Sequence, residues 1–298
     1  MNANAMPKVE SPSTISPVRL LYWSVRRELW ENRALYLAPL AVAALILVAS
    51  AIGSIHLPVK LHGTALDAAQ QQELIEQPYT FAALLLMFTT FVVAVFCCVD
   101  TLQSVRRDRS ILFWKSLPVS DLTTVMAKAS IPLVVLPLLT FAITVATQAV
   151  MLVIGSLRMM GSDVNLWSHV SFFSMAVMLL YHLVAVHALW WAPFYGWLLL
   201  VSAWARRAAF LWATLPPLAI GLLERIAFST SHFANLLAHR FLGGPQADAP
   251  QGDPMSMAAL TPASPIQFLM SPGLWIGLAF FAACLAAAVR LRRSREPN

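Results

Sequence analysis

Three stretches of this chain carry no charged side chain at all: Leu35–Ile55, Tyr79–Val99 and Ala129–Leu157. A helix needs about 20 predominantly apolar residues to cross the roughly 30 Å hydrocarbon core of a bilayer, and each stretch reaches that length. In lipid the backbone must satisfy its own hydrogen bonds, so such segments fold as helices. The composition agrees: 59% of the 298 residues are hydrophobic and 11% charged, against about 25% charged in a typical soluble domain. The expected fold is an all-α polytopic membrane helix bundle. A soluble enzyme, a disordered chain and a disulfide-rich secreted domain are excluded. The three cysteines, Cys97, Cys98 and Cys284, all lie in apolar runs and read as small buried residues.

Along the chain, residues 1–17 are polar and proline-containing and read as a disordered cytoplasmic tail. Residues 18–298 form a single transmembrane domain. Val18–Arg33 places Leu21, Val25 and Leu29 at helical spacing, with arginines and glutamates on the other side. It reads as an amphipathic helix in the membrane interface. Six spans follow, at about 35–55, 79–99, 122–157, 170–191, 208–223 and 272–289. Pro132 and Pro137 are expected to bend the third, and Pro216-Pro217 to interrupt the short fifth. Ala65–Ile75 suggests a short helix in the first outer loop. Phe194–Ala205 is apolar but too short to cross, and reads as an inward extension of the fourth span or an interfacial piece. Residues 224–270 read as an outer helical cap, with Ile226, Phe233, Leu237 and Phe241 on one face, followed by a flexible loop over Gly243–Pro254.

Charge orients this arrangement. With both termini inside, 16 of the 20 basic residues fall on inner segments, while acids divide evenly. That asymmetry in Lys and Arg is what the positive-inside rule requires, and it accounts for the net charge of +6 without nucleic acid.

No catalytic constellation is visible. There is no G-x-x-x-x-G-K-[ST] loop, no H-E-x-x-H, and no nucleophile elbow. His182 and His187 share a span but point about 140° apart, so they do not clamp one metal. The expectation is a protein that is not an enzyme and binds neither metal nor cofactor. The densest polar information is Asp100–Asp121, where Arg106, Arg107, Asp108 and Arg109 precede Phe113, Trp114 and Lys115. Pro118 ends a short helix there, and Ser120 or Asp121 caps the third span. Arg and aromatic residues together either anchor a loop at the interface or build a docking surface for a soluble partner. The third span sets Thr140, Thr144, Thr147 and Gln148 on one face. The fourth offers Ser171, Ser174, Met178, Tyr181 and His182. Such stripes serve helix packing or line a substrate path. Glu224 and Arg225, at the outer end of the fifth span, read as an interface anchor or as a gate.

An interfacial basic helix, six spans, and a helix between spans two and three resemble the permease subunits of bacterial ABC type-2 transporters. The run Arg107–Ser120 with Lys128, and Pro193–Arg207 continuing through Leu211-Trp212-Ala213 to Pro216-Pro217 and Glu224, carry that resemblance. It implies an exporter in the bacterial cytoplasmic membrane. A separate ATP-binding-cassette ATPase would bind ATP and Mg, and a second permease subunit, identical or not, would complete the transporter. Membrane lipids surround it. Arg106, Arg107, Asp108, Arg109, Phe113, Trp114 and Lys115 would form the coupling helix that docks the ATPase, and the N-terminal helix would also touch it. The uncharged polar stripes favour an amphipathic substrate. The competing expectation is a membrane anchoring or assembly protein with no transport path.

Overall fold

The computed structural model describes residues 16–53, 68–107, 120–159, 170–205, 207–243 and 265–295. Among these the ordered elements are all helical. Six helices are long and apolar enough to cross a membrane: Ala34–Gly53, Leu74–Asp100, Asp121–Arg158, Phe172–Trp190, Ala209–Phe228 and Pro272–Ser294. These match the six expected spans, and the multi-pass membrane character follows from them.

The chain begins with α1 (Pro17–Glu31), capped by Ser16, whose side chain accepts from the Arg19 amide. The first span, α2 (Ala34–Gly53), follows after two residues. The second span belongs to α3 (Ala68–Arg107), a single 40-residue helix that runs through Pro78. From Ala68 on, the short outer helix expected over Ala65–Ile75 is therefore the first turns of α3 rather than a separate piece; residues 65–67 lie outside the described residues. The expected tail up to Ile15 and the loop beyond Gly243 lie outside the described residues.

The third span starts as α4 (Asp121–Ser130), passes through a π-helical turn at Ile131–Val135 and continues as α5 (Leu136–Arg158). The expected disturbance at the prolines is this π turn. Pro132 has no amide hydrogen to give the Lys128 carbonyl, and the Ile131 amide takes that carbonyl instead. The fourth span, α6 (Phe172–His182), runs into a second π segment, Leu183–Trp190, and breaks at Trp191. Then comes α7 (Ala192–Trp204).

This short helix lies at the centre of the bundle. Tyr195, Leu199 and Ala203 are fully buried, packed with Leu35, Cys98, Leu102, Val125 and Ala288. Phe91 meets Trp191 and Phe194 in ring contacts, and Ser202 reaches the backbone at Val99 and Leu102. The segment thus continues the fourth span alongside α3, and it is not an interfacial piece. Its sequence shows why: it is apolar all round, and a helix with no polar face is buried.

The fifth span, α8 (Ala209–Phe228), is continuous through Pro216 and Pro217 and longer than expected. The segment expected to form an outer cap is helical: α9 (His232–Ala238) with a π turn at His239–Gly243. Then α10 (Pro265–Met270) leads into the last span, α11 (Pro272–Arg295). Helices α7 and α11 approach closely, because Gly196 sits against Phe281; a Cβ there would fall 2.7 Å from the ring and 3.2 Å from the Phe281 Cα. A second core near the opposite end joins Ala43, Ile46, Ile75, Leu86, Leu152 and Met175.

Candidate functional site

Four groups of polar residues interrupt the apolar bundle. The first holds one end together. Glu28 of α1 is buried and accepts from Lys128 Nζ of α4 at 2.9 Å. Arg292, near the end of α11, meets Asp121 at the start of α4 at 3.3 Å. Ser120 is the cap of α4, accepting from the Thr123 amide at 3.1 Å, which leaves Asp121 free for that pair. The first and last described helices are thus tied to α4 at one end of the bundle. The segment expected to dock a partner lies between α3 and this same helix. Arg106 and Arg107 fall in the last turn of α3. Asp108, Arg109, Phe113, Trp114 and Lys115 lie outside the described residues.

The second group is the polar stripe of the third span. Thr140, Thr144, Thr147 and Gln148 do share a face, and all four are buried. The Thr140 and Thr90 hydroxyls hydrogen-bond to each other, and Gln148 Nε2 donates to the Tyr79 carbonyl at 3.2 Å. Thr147 turns back to its own helix and donates to the Ile143 carbonyl at 2.7 Å. The Thr144 hydroxyl and Gln148 Oε1 are buried without a partner. Together these contacts form a seam between α3 and α5.

Among the described residues, no hydrogen bond joins the fourth-span stripe to the seam. Ser171 and Ser174 are exposed, whereas Met178, Tyr181 and His182 are partly buried. His182 Nδ1 is buried and unbonded. His187 is buried, 3.4 Å from the Tyr195 hydroxyl, with its ring against Trp191 and Tyr195. Among the described residues no group of His, Cys, Asp and Glu is placed to hold a metal.

The third group fastens the hairpin between α8 and α9. The Glu224 carboxylate accepts from the His232 and Phe233 amides at 2.7 and 2.8 Å and from the Thr230 hydroxyl at 3.0 Å. It therefore caps α9 from eight residues away, across a turn in which Ser229 takes the left-handed conformation. Arg225 beside it is exposed. Further on, the Arg240 guanidinium lies 4.0 Å over the Trp190 ring and donates to the Gly273 carbonyl at 3.0 Å. Trp190 Nε1 donates to the Arg240 carbonyl at 2.9 Å. Gly277 leaves the room that the guanidinium occupies against α11.

The fourth group joins side chains of α7 to the backbones of neighbouring helices. Pro217 cannot donate to the Ala213 carbonyl, and Trp197 Nε1 of α7 fills that vacancy at 3.0 Å. Ser202 both donates to the Val99 carbonyl at 2.7 Å and accepts from the Leu102 amide at 3.2 Å. Sequence reasoning missed these and the Glu28–Lys128, Asp121–Arg292 and Trp190–Arg240 pairings. Only an isolated acid or base beside an apolar run marks them locally, and the partners lie far apart in the chain.

No family model, curated protein or solved structure matches this chain.

Proposed function

We propose that this chain is the membrane-spanning permease subunit of an ABC exporter. A separate ATPase docks on the segment joining the second and third spans, and a second permease subunit completes the transporter. The termini, on this reading, face the cytoplasm of a bacterium, and the chain itself hydrolyses nothing. The observation that carries the proposal is how that segment is mounted. Helix α3 continues past Asp100 to Arg107, and α4 begins at Asp121, before the charge-free part of the third span. Each projects roughly 10 Å beyond its apolar part, at 1.5 Å per residue. A force on the Arg- and aromatic-rich segment between them would act on two spans directly. It would reach α1 and α11 through Lys128–Glu28 and Asp121–Arg292. The π turn at Ile131–Val135 lies just beyond these braces, where the third span has a ready hinge. The test is Trp114→Ala and Arg109→Glu: at normal membrane levels both should abolish export. Undiminished export in both would remove the coupling role.

A second reading has one specific observation in its favour. The seam of Thr140, Thr144, Thr147 and Gln148 is closed within one chain, as expected of an anchoring or assembly protein with no path. On the permease reading the path runs elsewhere, or the seam opens during the cycle. Labelling of Thr144→Cys by a water-soluble thiol reagent in native membranes discriminates. Reaction that changes when ATP is supplied supports a path at the seam, whereas complete inertness in every state leaves it as packing.

A further inference from the structure

The N-terminal helix α1 has an outward face that the ion pairs leave uncompensated. Its two acids are both engaged: Glu28 with Lys128 of α4, and Glu31 with Arg27 on the same helix at 2.6 Å. Glu28 marks the side turned to the bundle, where Val25 and Leu29 join the core. On a helix of 3.6 residues per turn, Arg19, Tyr22, Trp23, Arg26 and Trp30 fall within about 100° of arc, centred opposite Glu28. The structure bears out that placement: Tyr22, Trp23 and Trp30 are 58%, 50% and 73% exposed. Arg19 and Arg26 are exposed as well. The Arg26 guanidinium stands 5.1 Å from the Trp23 ring and 5.8 Å from the Trp30 ring, so one cation is framed by two indoles. There is no acid in the stripe. Helix α1 ends at Glu31, and the first span begins at Ala34, so the stripe lies next to a membrane entry point.

We infer that this stripe binds the headgroups of anionic phospholipids, the indoles and phenol sitting at headgroup depth while Arg19 and Arg26 meet lipid phosphates. Three features select lipid over a protein partner. Trp and Tyr beside basic residues form the usual composition of a membrane-interface belt. The charge is of one sign only, which complements an anionic leaflet. The helix is held from behind by a buried ion pair, so the face keeps a fixed aspect toward the bilayer. The other side of α1 is the one used for the protein. This assignment replaces, for these five residues, the expectation that α1 docks an ATPase, and it does not depend on the permease reading.

The test uses the full-length protein in nanodiscs of phosphatidylcholine containing a minor fraction of lipid dibrominated near the headgroup. The bromine is carried either on phosphatidylglycerol or on phosphatidylcholine. The quenching that belongs to Trp23 and Trp30 is taken as the difference between the native protein and Trp23→Phe/Trp30→Phe. The expected result is a preference of roughly fivefold or more for the brominated anionic lipid, in keeping with two arginines near an anionic surface. In Arg19→Gln/Arg26→Gln the preference should vanish while quenching by the neutral lipid persists, which also shows that the helix remains in place. Equal quenching by both lipids in the native protein overturns the assignment. So does absence of quenching by either, which would mean that a protein covers the face.

Discussion

At the scale of single residues, one indole supplies what a proline removes. Trp197 hydrogen-bonds the Ala213 carbonyl that Pro217 leaves open. Trp197→Phe should therefore destabilise the protein by about 1–3 kcal/mol, the usual cost of an unsatisfied buried acceptor. Pro217→Ala restores the missing amide, so its effect should be more favourable in the Trp197→Phe background than in the native one. Thermal unfolding in detergent of the two single variants and the double variant checks this cycle; simple additivity would show that the indole bond carries nothing. A second residue-scale expectation concerns Ala208, which sits at φ 52° in the turn between α7 and α8. A left-handed backbone costs a residue with a Cβ about 1–2 kcal/mol, so Ala208→Gly should raise stability by about 1 kcal/mol, measured the same way. Prolines are plain in the sequence. Their helix-breaking tendency suggests a short, interrupted fifth span, and nothing local reveals that the indole of Trp197, on the preceding helix, makes the break unnecessary.

At the scale of elements, α7 and the two ion pairs decide how the ends of the bundle are joined. The 13 residues of α7 are too few to cross a bilayer alone, and length is the property that sequence reading weighs most heavily in apolar segments. That left two readings, an extension of the fourth span or an interfacial piece, and the burial of Tyr195, Leu199 and Ala203 against Cys98 and Leu102 of α3, beyond the bend at Trp191, decides for the extension. Helix α1, by contrast, was legible as amphipathic, because its Leu21–Val25–Leu29 spacing is a local signal. That Glu28 belongs to the buried side was not, since a glutamate in such a pattern is ordinarily assigned to water. The buried pair makes a definite expectation. Removing Lys128 strands the Glu28 carboxylate, so Lys128→Leu alone should cost about 3–5 kcal/mol, whereas Glu28→Leu/Lys128→Leu should recover most of that loss. If the pair also transmits force, the double variant will be stable yet impaired in function. Thermal unfolding and a functional assay on the same three proteins separate these roles.

At the scale of the whole molecule, the six spans follow from composition and length, and the structure places them where the apolar runs lie. Which polar residues face one another does not follow, because it depends on the packing of helices distant in sequence. The third-span stripe was legible as a stripe, since periodicity is local; that it closes against Thr90 and Tyr79 of α3 was not. The division of labour along the molecule is consistent: charged braces at the end where α1, α4 and α11 meet, a closed seam between α3 and α5, and a fastened hairpin over α8. The claim that rests on this arrangement is that the braced end receives a soluble motor. The most direct measurement is purification of the tagged chain from its native membrane in mild detergent, with assay of ATP hydrolysis in the eluate. The control carries Arg109→Glu and Trp114→Ala together. The account predicts that an ATP-hydrolysing subunit accompanies the native chain and is lost from the control, with the membrane protein itself recovered in equal amount. An eluate without an ATPase even after cross-linking, or one that retains it undiminished in the control, would contradict the account.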